Sequence, residues 1–421
     1  MLFNTVNQHC LKNIVQLAET HTVEAAEDIF DDRGIKLWAK GKPVSADLQE
    51  KLLRRKLAKP LEATLTVEGA VAFPDLVDAC RAHMDQNPLF ARLVNRDALG
   101  FLNGMKAIPL PQPLRLLLTT AHANGSRNFK HALATMLISA SIAARLDASE
   151  HDAQILLMAA LLHDLGEMYI HPDYLNYSYR LQPNEWKHVA SHPRVGQLLI
   201  QELTTLPVAV GLCVAHHHER RDGSGYPNQI DGSKHNRLGD WLAVADSVGA
   251  ILSRGDCGAP LRAALALRIV PEEFDRDAVG VVTQALRKSD DSFGQDSDCS
   301  CIGNAQATWK RLSNAIGAAE ALHGATDLPF VRQTVGAALQ QLHNLNKSLR
   351  ATGVVEVDSL GELDGELIAE ICQIIKEVDW RMRNLARNLY LRAEGHAEGK
   401  GVAMLSPLIE ALDGARESGV A

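Results

Sequence analysis

The sequence predicts a mainly α-helical protein: a small mixed α/β module first, then an all-helical middle, then a helical C-terminal extension. Three observations carry this. From residue 114 onward apolar residues recur at helical spacing, with little alternation. Strand-like segments bounded by turn residues are confined to the first 108 residues. And 11 of the 17 histidines lie between His122 and His235. Histidine is the commonest metal ligand and titrates near neutral pH, so chemistry is expected in the helical middle. With 421 residues, 46% of them apolar and 22% charged, the chain has ordinary globular composition and length for two or three domains. That excludes a collagen, a disulfide scaffold and a wholly disordered chain. A net charge of −8 argues against broad contact with nucleic acid or anionic lipid.

In the first module, 1–108, Glu27–Gly34 and Ile35–Ala39 read as two short strands around an Asp-Arg-Gly turn, and Lys40–Pro43 as a further turn. Ser45 is placed to cap a helix running to Lys59, which Pro60 stops. Thr64–Val71 reads as a strand and Phe73–Val94 as helix. Pro109–Pro113 cannot continue a helix, which sets a boundary there. In the middle domain, 114–256, Phe129–Leu146 has Leu133, Met136, Leu137, Ala140 and Ala144 at helical spacing. Ser149 opens the next helix, with Asp152 as its capping-box partner. That helix is apolar almost all round after its first turn, so it is expected at the centre, and Gly166 suits its C-terminal stop. Asn184–Thr204, Pro207–His218 and Leu238–Leu252 continue as helices, with a turn at Asp222–Pro227. In the extension, 257–421, a polar loop at Ser289–Gly303 precedes two amphipathic stretches, about 304–350 and 360–393. These are read as a dimerisation bundle, so a homodimer is expected. The end from Glu394 is expected to be loosely ordered. The longest apolar runs reach about a dozen residues, short of the roughly 20 a membrane helix needs. The N-terminus has no basic segment ahead of an apolar core. Seven scattered cysteines suggest reduced thiols. The expected location is the cytoplasm.

His163-Asp164 ends the apolar helix. A carboxylate buried there without a partner would cost several kcal/mol, which a metal ion or cation removes. His131 lies on the preceding helix, His192 ends a helical stretch, His216, His217 and His218 follow in a row, and Asp246 stands alone in an apolar helix. Mixed nitrogen and oxygen ligands without thiolates favour Fe, Mn or Zn.

These residues fall in HDLG (163–166), HPRVG (192–196), HHERRDGSGYP (217–227) and AVAD (243–246). In that order they resemble the HD-GYP domain, a branch of the HD superfamily of metal-dependent phosphohydrolases. The resemblance covers about Arg127 to Arg254. It implies an all-α HD fold and hydrolysis of the bacterial signalling dinucleotide cyclic di-GMP to pGpG or GMP, with two metals, iron or manganese before others. Carried over by motif, one metal falls to His131, His163, Asp164 and Asp246, and the second to Asp164, His192, His217 and His218, with Asp164 as the bridge. The implied attack is by a metal-bridging hydroxide, for which His163, Asp164 and Glu167 stand as the catalytic set. Gly223 and Gly225 let backbone approach a ligand, and Tyr226 packs on it or orders the loop. Two positions depart from the family. Glu167 stands where Lys is usual and would repel a phosphodiester, unless it reaches a metal or pairs with Arg194 or Arg254, the other substrate candidates. Arg127 stands where members with a third metal carry Glu, hence two metals.

Blander readings apply elsewhere. His151-Asp152 lies in an exposed first turn. His188 is read as structural, His171 and His235 as surface residues, Cys299 and Cys301 as loop thiols, and Lys51–Lys59 as a solvated face. The resulting reading is a cyclic di-GMP phosphodiesterase, with signalling proteins as further partners and neither membrane nor nucleic acid polymer. Two alternatives stand beside it: a cyclic di-GMP-binding scaffold with little turnover, favoured by Glu167, and a phosphohydrolase of another nucleotide.

Overall fold

A computed structural model describes residues 2–124, 126–176, 179, 181–254, 258–287, 300–351, 365–394 and 400–414. The chain forms two compact units. The first comprises Met1–Arg180, His188–His218 and Lys234–Ser253; the second comprises Leu181–Lys187, Glu219–Ser233 and Arg254–Ala421.

The first unit opens with α1 (Gln8–Leu17), β1 (Val23–Ala25), β2 (Ile29–Phe30), β3 (Lys36–Trp38), α2 (Ala46–Leu53), α3 (Leu61–Thr64) and β4 (Leu65–Val67). β2 and β3 form the expected hairpin, with Ile29 opposite Trp38, and β1 pairs antiparallel with β4, Val23 opposite Val67. Gly34, at φ +81° in the hairpin turn, adopts the left-handed conformation that glycine tolerates best. The helix begun at Ser45 stops at Leu53 rather than Lys59, because Lys56 and Leu57 are drawn into isolated bridges with Thr5 and Asp31. α4 (Phe73–Gln86), α5 (Pro88–Leu93) and α6 (Arg96–Gly104) follow. Asn87, capping Leu89 N–H ahead of Pro88, breaks the expected Phe73–Val94 helix in two.

The unit runs without interruption across Pro109–Pro113, because Pro113 sits in the first turn of α7 (Gln112–Asn124), where its missing N–H is tolerated. Gln112 donates to the Leu65 carbonyl at 2.7 Å and Arg115 to that of Ala70 at 3.0 Å, tying α7 to the strands. Then come α8 (Ser126–Arg145), α9 (Glu150–Leu162), a short 3-10 turn (Leu165–Tyr169), α11 (His192–Leu203), α12 (Val208–His216) and α13 (Arg237–Leu252), while α10 (Pro183–Ala190) is divided between the two units at Lys187. Ser149 caps α9 through Asp152 N–H. As its all-round apolarity predicts, α9 is buried from Ile155 to Leu162 and packs on α8, α12 and α13.

The second unit contains α14 (Ala259–Ala266), α15 (Arg276–Arg287), α16 (Ser300–Ala325), α17 (Pro329–Ala351), α18 (Gly365–Glu394) and α19 (Lys400–Asp413). Its core joins Leu312, Val335, Leu342, Met382 and Leu408. Buried Arg381 is held by Glu377 and Glu273 at 2.7 and 2.9 Å. Two expectations change here. Residues 300–303 belong to α16 rather than to a polar loop, and the rest of that loop lies outside the described residues. The segment expected to be loose carries α19, whose Leu405, Leu408 and Leu412 are fully buried. Cys10, Cys80 and Cys213 are free thiols as expected, but Cys372 is disulfide-bonded. Cys299 lies outside the described residues. No helix among the described residues is long and apolar enough to cross a membrane.

Candidate metal centre

Four element ends and two helix interiors of the first unit meet at one point. α9 ends in His163 and delivers Asp164 at the start of the 3-10 turn. α11 begins with His192, and α12 is followed by His217 and His218. His131 and Asp246 project from within α8 and α13. The seven side chains proposed from sequence all arrive. Asp164, His192, His217 and His218 bring ligand atoms within 4.8 Å of one another, and so do His131, His163 and Asp164.

Asp164 stands between the two groups. Its Oδ2 lies 3.1 Å from His163 Nε2 and 3.6 Å from His131 Nε2. Its Oδ1 lies 3.4 Å from His192 Nε2 and 3.8 Å from His217 Nε2. Asp246 is divided similarly: Oδ1 is 3.0 Å from His131 Nε2, and Oδ2 is 3.4 Å from His218 Nδ1.

The tautomers test whether a cation fits. His163, His192 and His217 each turn Nδ1 to the backbone carbonyl three residues earlier, Ala160, Val189 and Val214, at 2.8, 2.8 and 2.6 Å. A carbonyl only accepts, so Nδ1 carries the proton and the lone pair of the neutral ring is on Nε2. Yet His192 Nε2 faces His217 Nε2 at 3.2 Å, and His163 Nε2 faces His131 Nε2 at 3.1 Å. For His192 and His217 the opposed lone pairs of neutral rings need a proton or a cation between them, whereas His131, whose Nδ1 has no hydrogen-bond partner, can carry its proton on either nitrogen. The donor set, imidazole nitrogen and carboxylate oxygen without thiolate, suits a divalent first-row ion.

The electrostatics agree. Burial opposes ionisation of both carboxylates, but His163 and His192 hold Asp164, and His218 and His131 hold Asp246, well below the usual carboxylate range. Burial also opposes charge on His163, but Asp164 and Asp246 raise its pKa well above that of an ordinary histidine. His217 is pushed down to about 3 by burial and by His163 and His192. Two carboxylates held ionised among buried imidazoles give the cluster a charge that a cation can share with protons.

Glu167, one turn past Asp164, is pushed up to about 8 by burial and by Asp164. Its carboxylate accepts from Asn128 Nδ2 at 3.2 Å. Asn128 was missed from sequence, although it lies three residues before His131 on the same helix and so shares its face. Arg194 is exposed and hydrogen-bonds Gln197, so the expected pairing with Glu167 is not made by it. The side chain of Arg127 is outside the described residues. Gly166 does not end α9 as a left-handed cap. It lies within the 3-10 turn, where a Cβ would meet the His192 carbonyl oxygen at 2.1 Å. Glycine is required by this approach of the turn to the start of α11.

Gly223, Gly225, Tyr226 and Arg254 belong to the second unit. There Gly223 has φ +74°, Asp222 accepts from Ser224 N–H, and the Glu219 carboxylate accepts from Asn228 and Ile230 N–H at 2.7 and 3.2 Å. Tyr226 is buried edge-on against Trp186, with ring centroids 4.9 Å apart. Asn388 donates to the Ser224 carbonyl and accepts from Trp186 Nε1, fixing the segment at both sides. Of the histidines set aside, His151 and His171 are exposed, and exposed His188 stacks on Tyr174. His235 is not a surface residue: its side chain is 1% exposed and Nδ1 lies 2.6 Å from Asp240 Oδ1.

Residues 128–251 match the family model described as HD domain. A cyclic di-GMP phosphodiesterase response regulator of Xanthomonas campestris is 36% identical over 28% of this chain and 31% of its own. A 3'3'-cGAMP-specific phosphodiesterase of Vibrio cholerae is 27% identical over 37% of this chain and 34% of its own. A cyclic di-GMP phosphodiesterase of Pseudomonas aeruginosa is 28% identical over 37% and 38%. The chain thus spans about a third of the length of the curated relatives it matches. A solved HDG"Y"P protein from Bdellovibrio bacteriovorus overlaps 63% of this chain and 95% of its own, with 13% identity and a TM-score of 0.36, too distant for its site to be compared.

Proposed function

We propose that this HD-domain protein is a metal-dependent phosphodiesterase that hydrolyses cyclic di-GMP to pGpG or GMP. The reading is carried by one observation: two facing Nε2 pairs, His163–His131 and His192–His217, stand on either side of a single carboxylate, Asp164, with His163, His192 and His217 anchored through Nδ1 so that Nε2 points inward. Two divalent ions, Fe or Mn in preference, would be held by His131, His163, Asp164 and Asp246 and by Asp164, His192, His217 and His218. When bound they supply Lewis-acid polarisation of a phosphodiester and a water nucleophile at neutral pH. The chain's own residues do the rest. Asp164 turns one carboxylate oxygen to each histidine group and would contribute a ligand to both ions. Backbone carbonyls of Ala160, Val189 and Val214 keep three imidazoles aimed inward. Glu167, largely protonated at neutral pH in the metal-free protein, presents a carboxyl rather than the ammonium usual at its position, and Asn128 orients it. Gly223, Gly225, Tyr226, Arg194 and Arg254 remain the substrate-contact candidates that the motifs supply.

The relatives named as cyclic di-GMP phosphodiesterases support this substrate. The relative named as 3'3'-cGAMP-specific favours a second reading, in which another cyclic dinucleotide is cleaved. A scaffold that binds metal and nucleotide with little turnover is the third, favoured by Glu167. The test is turnover of cyclic di-GMP and 3'3'-cGAMP by protein reconstituted anaerobically with Fe(II) or Mn(II), with metal counted and Asp164→Ala run alongside. About two metals and cyclic di-GMP cleavage lost in the variant support the proposal. Two metals with nucleotide binding but no turnover move the protein to the scaffold class. Activity regained in Glu167→Lys would then identify the residue responsible.

A further inference from the structure

The 3-10 turn Leu165–Tyr169 follows Asp164 directly, and it is gripped from two sides. On one side Gly166 presses on the His192 carbonyl. On the other it meets α1 and α7. Tyr169, the last residue of the turn, is held by three residues of the N-terminal module. Its hydroxyl donates to Glu62 Oε1 of α3 at 2.5 Å. Its carbonyl accepts from Asn7 Nδ2 at 3.1 Å. Its ring lies edge-on to Phe3, with centroids 5.6 Å apart. Cys10 of α1 directs its thiol to the same Glu62 oxygen at 3.7 Å.

Glu62 is 5% exposed, and its other oxygen is buried without a hydrogen-bond partner. Such a carboxyl is costly to bury and contributes little as packing. Asn7 is also doubly used. Its Oδ1 caps α1 by accepting from His9 and Cys10 N–H, while its Nδ2 holds Tyr169. The turn itself is stiff over this span: Glu167 N–H bonds Asp164 C=O at 2.9 Å, and Ile170 N–H bonds Glu167 C=O at 3.0 Å. A displacement of Tyr169 is therefore transmitted to Glu167 and Asp164.

We propose that Tyr169 and Glu62 are positioning residues for the metal centre, and that the N-terminal α/β module acts on that centre by setting the pitch of the Leu165–Tyr169 turn. This gives the module a role in the chemistry of the site and rests on the metal reading above. Loss of the Tyr169–Glu62 bond frees the end of the turn, moves the Asp164 carboxylate relative to His192 and His217, and weakens metal binding without removing a ligand. Outer partners of this kind change metal affinity by about 10–100-fold.

The experiment is Co(II) titration of the metal-free full chain, read by visible absorption, with the melting temperature of each metal-free variant measured alongside. Tyr169→Phe and Glu62→Ala are expected to bind Co(II) about tenfold more weakly and with altered absorption bands. Glu62→Gln, which keeps an acceptor for the Tyr169 hydroxyl, should restore both. Ser141→Ala is the control, since it removes a buried hydroxyl that bonds Leu93 C=O away from the turn. If Tyr169→Phe and Glu62→Ala bind Co(II) with wild-type affinity and spectrum, the proposal falls. It also falls if Ser141→Ala, at matched loss of melting temperature, shows the same change. Should Tyr169→Phe not fold, Glu62→Ala against Glu62→Gln decides alone. A wild-type chain that takes up no Co(II) would instead overturn the metal reading itself.

Discussion

Glu167 sits near several imidazoles, and yet its carboxyl is the protonated one, because burial and the charge of Asp164 both push its pKa upward, to about 8. A divalent ion beside Asp164 cancels the second cause. The Glu167 pKa is then lower in the loaded protein than in the metal-free one, where it is about 8. Metal uptake at neutral pH should therefore release a proton from Glu167 in addition to any lost by the histidines. Calorimetry in buffers of different ionisation enthalpy measures the count, and Glu167→Gln should lower it by about one. Gly166 gives a steric counterpart. A methyl group there would collide with the His192 carbonyl oxygen, which is backbone and cannot rotate away. Gly166→Ala should cost about 1–3 kcal/mol, the usual range for overpacking, in denaturant unfolding, with weaker metal binding as the turn withdraws from α11.

Among the elements, the β2–β3 hairpin shows how a short, weak structure is stabilised by one carboxylate. Asp31 accepts from Ile35 and Arg33 N–H at 2.8 and 3.0 Å and from the Arg55 guanidinium at 3.0 Å. These contacts, Ile35 N–H foremost, hold its pKa below the usual carboxylate value of 3.8. A depressed folded-state pKa contributes stability that is present above 3.8 and lost as pH falls through the folded value. The melting temperature of Asp31→Asn should thus lie below wild type at pH 6, and the gap should narrow as the pH drops below 3.8. The sequence announced this hairpin through its Asp-Arg-Gly turn, and α9 through unbroken apolarity after a Ser149 cap. It did not announce where α2 stops, because Leu53 ends that helix for reasons of pairing: Lys56 and Leu57 bridge to Thr5 and Asp31, distant in sequence. Nor did Gly- and Glu-rich flanks reveal α19, whose buried leucines pack against α16 and α18.

For the molecule as a whole, the seven clustered side chains were legible because each belongs to a contiguous motif or is an ionisable residue stranded in an apolar helix. Asn128, Glu62 and Tyr169 were not, because what matters about them is a neighbour 39 or 107 residues away, brought close only by packing. Metal should also register globally. An ion that binds only the folded chain adds about 2.7 kcal/mol at a hundred times its dissociation constant. Mn(II) should therefore raise the calorimetric transition of the first unit, and His217→Ala should shrink that rise. Finally, the three imidazoles anchored to a carbonyl three residues earlier have surrendered their rotational freedom before any ion arrives. Each ring is oriented by a partner three residues behind it, so its aim is set as soon as that helix end forms. Immobilising a free side chain costs about 0.5–1.5 kcal/mol. For His163, His192 and His217 that entropy is lost during folding, and the incoming ion meets a rigid receptor.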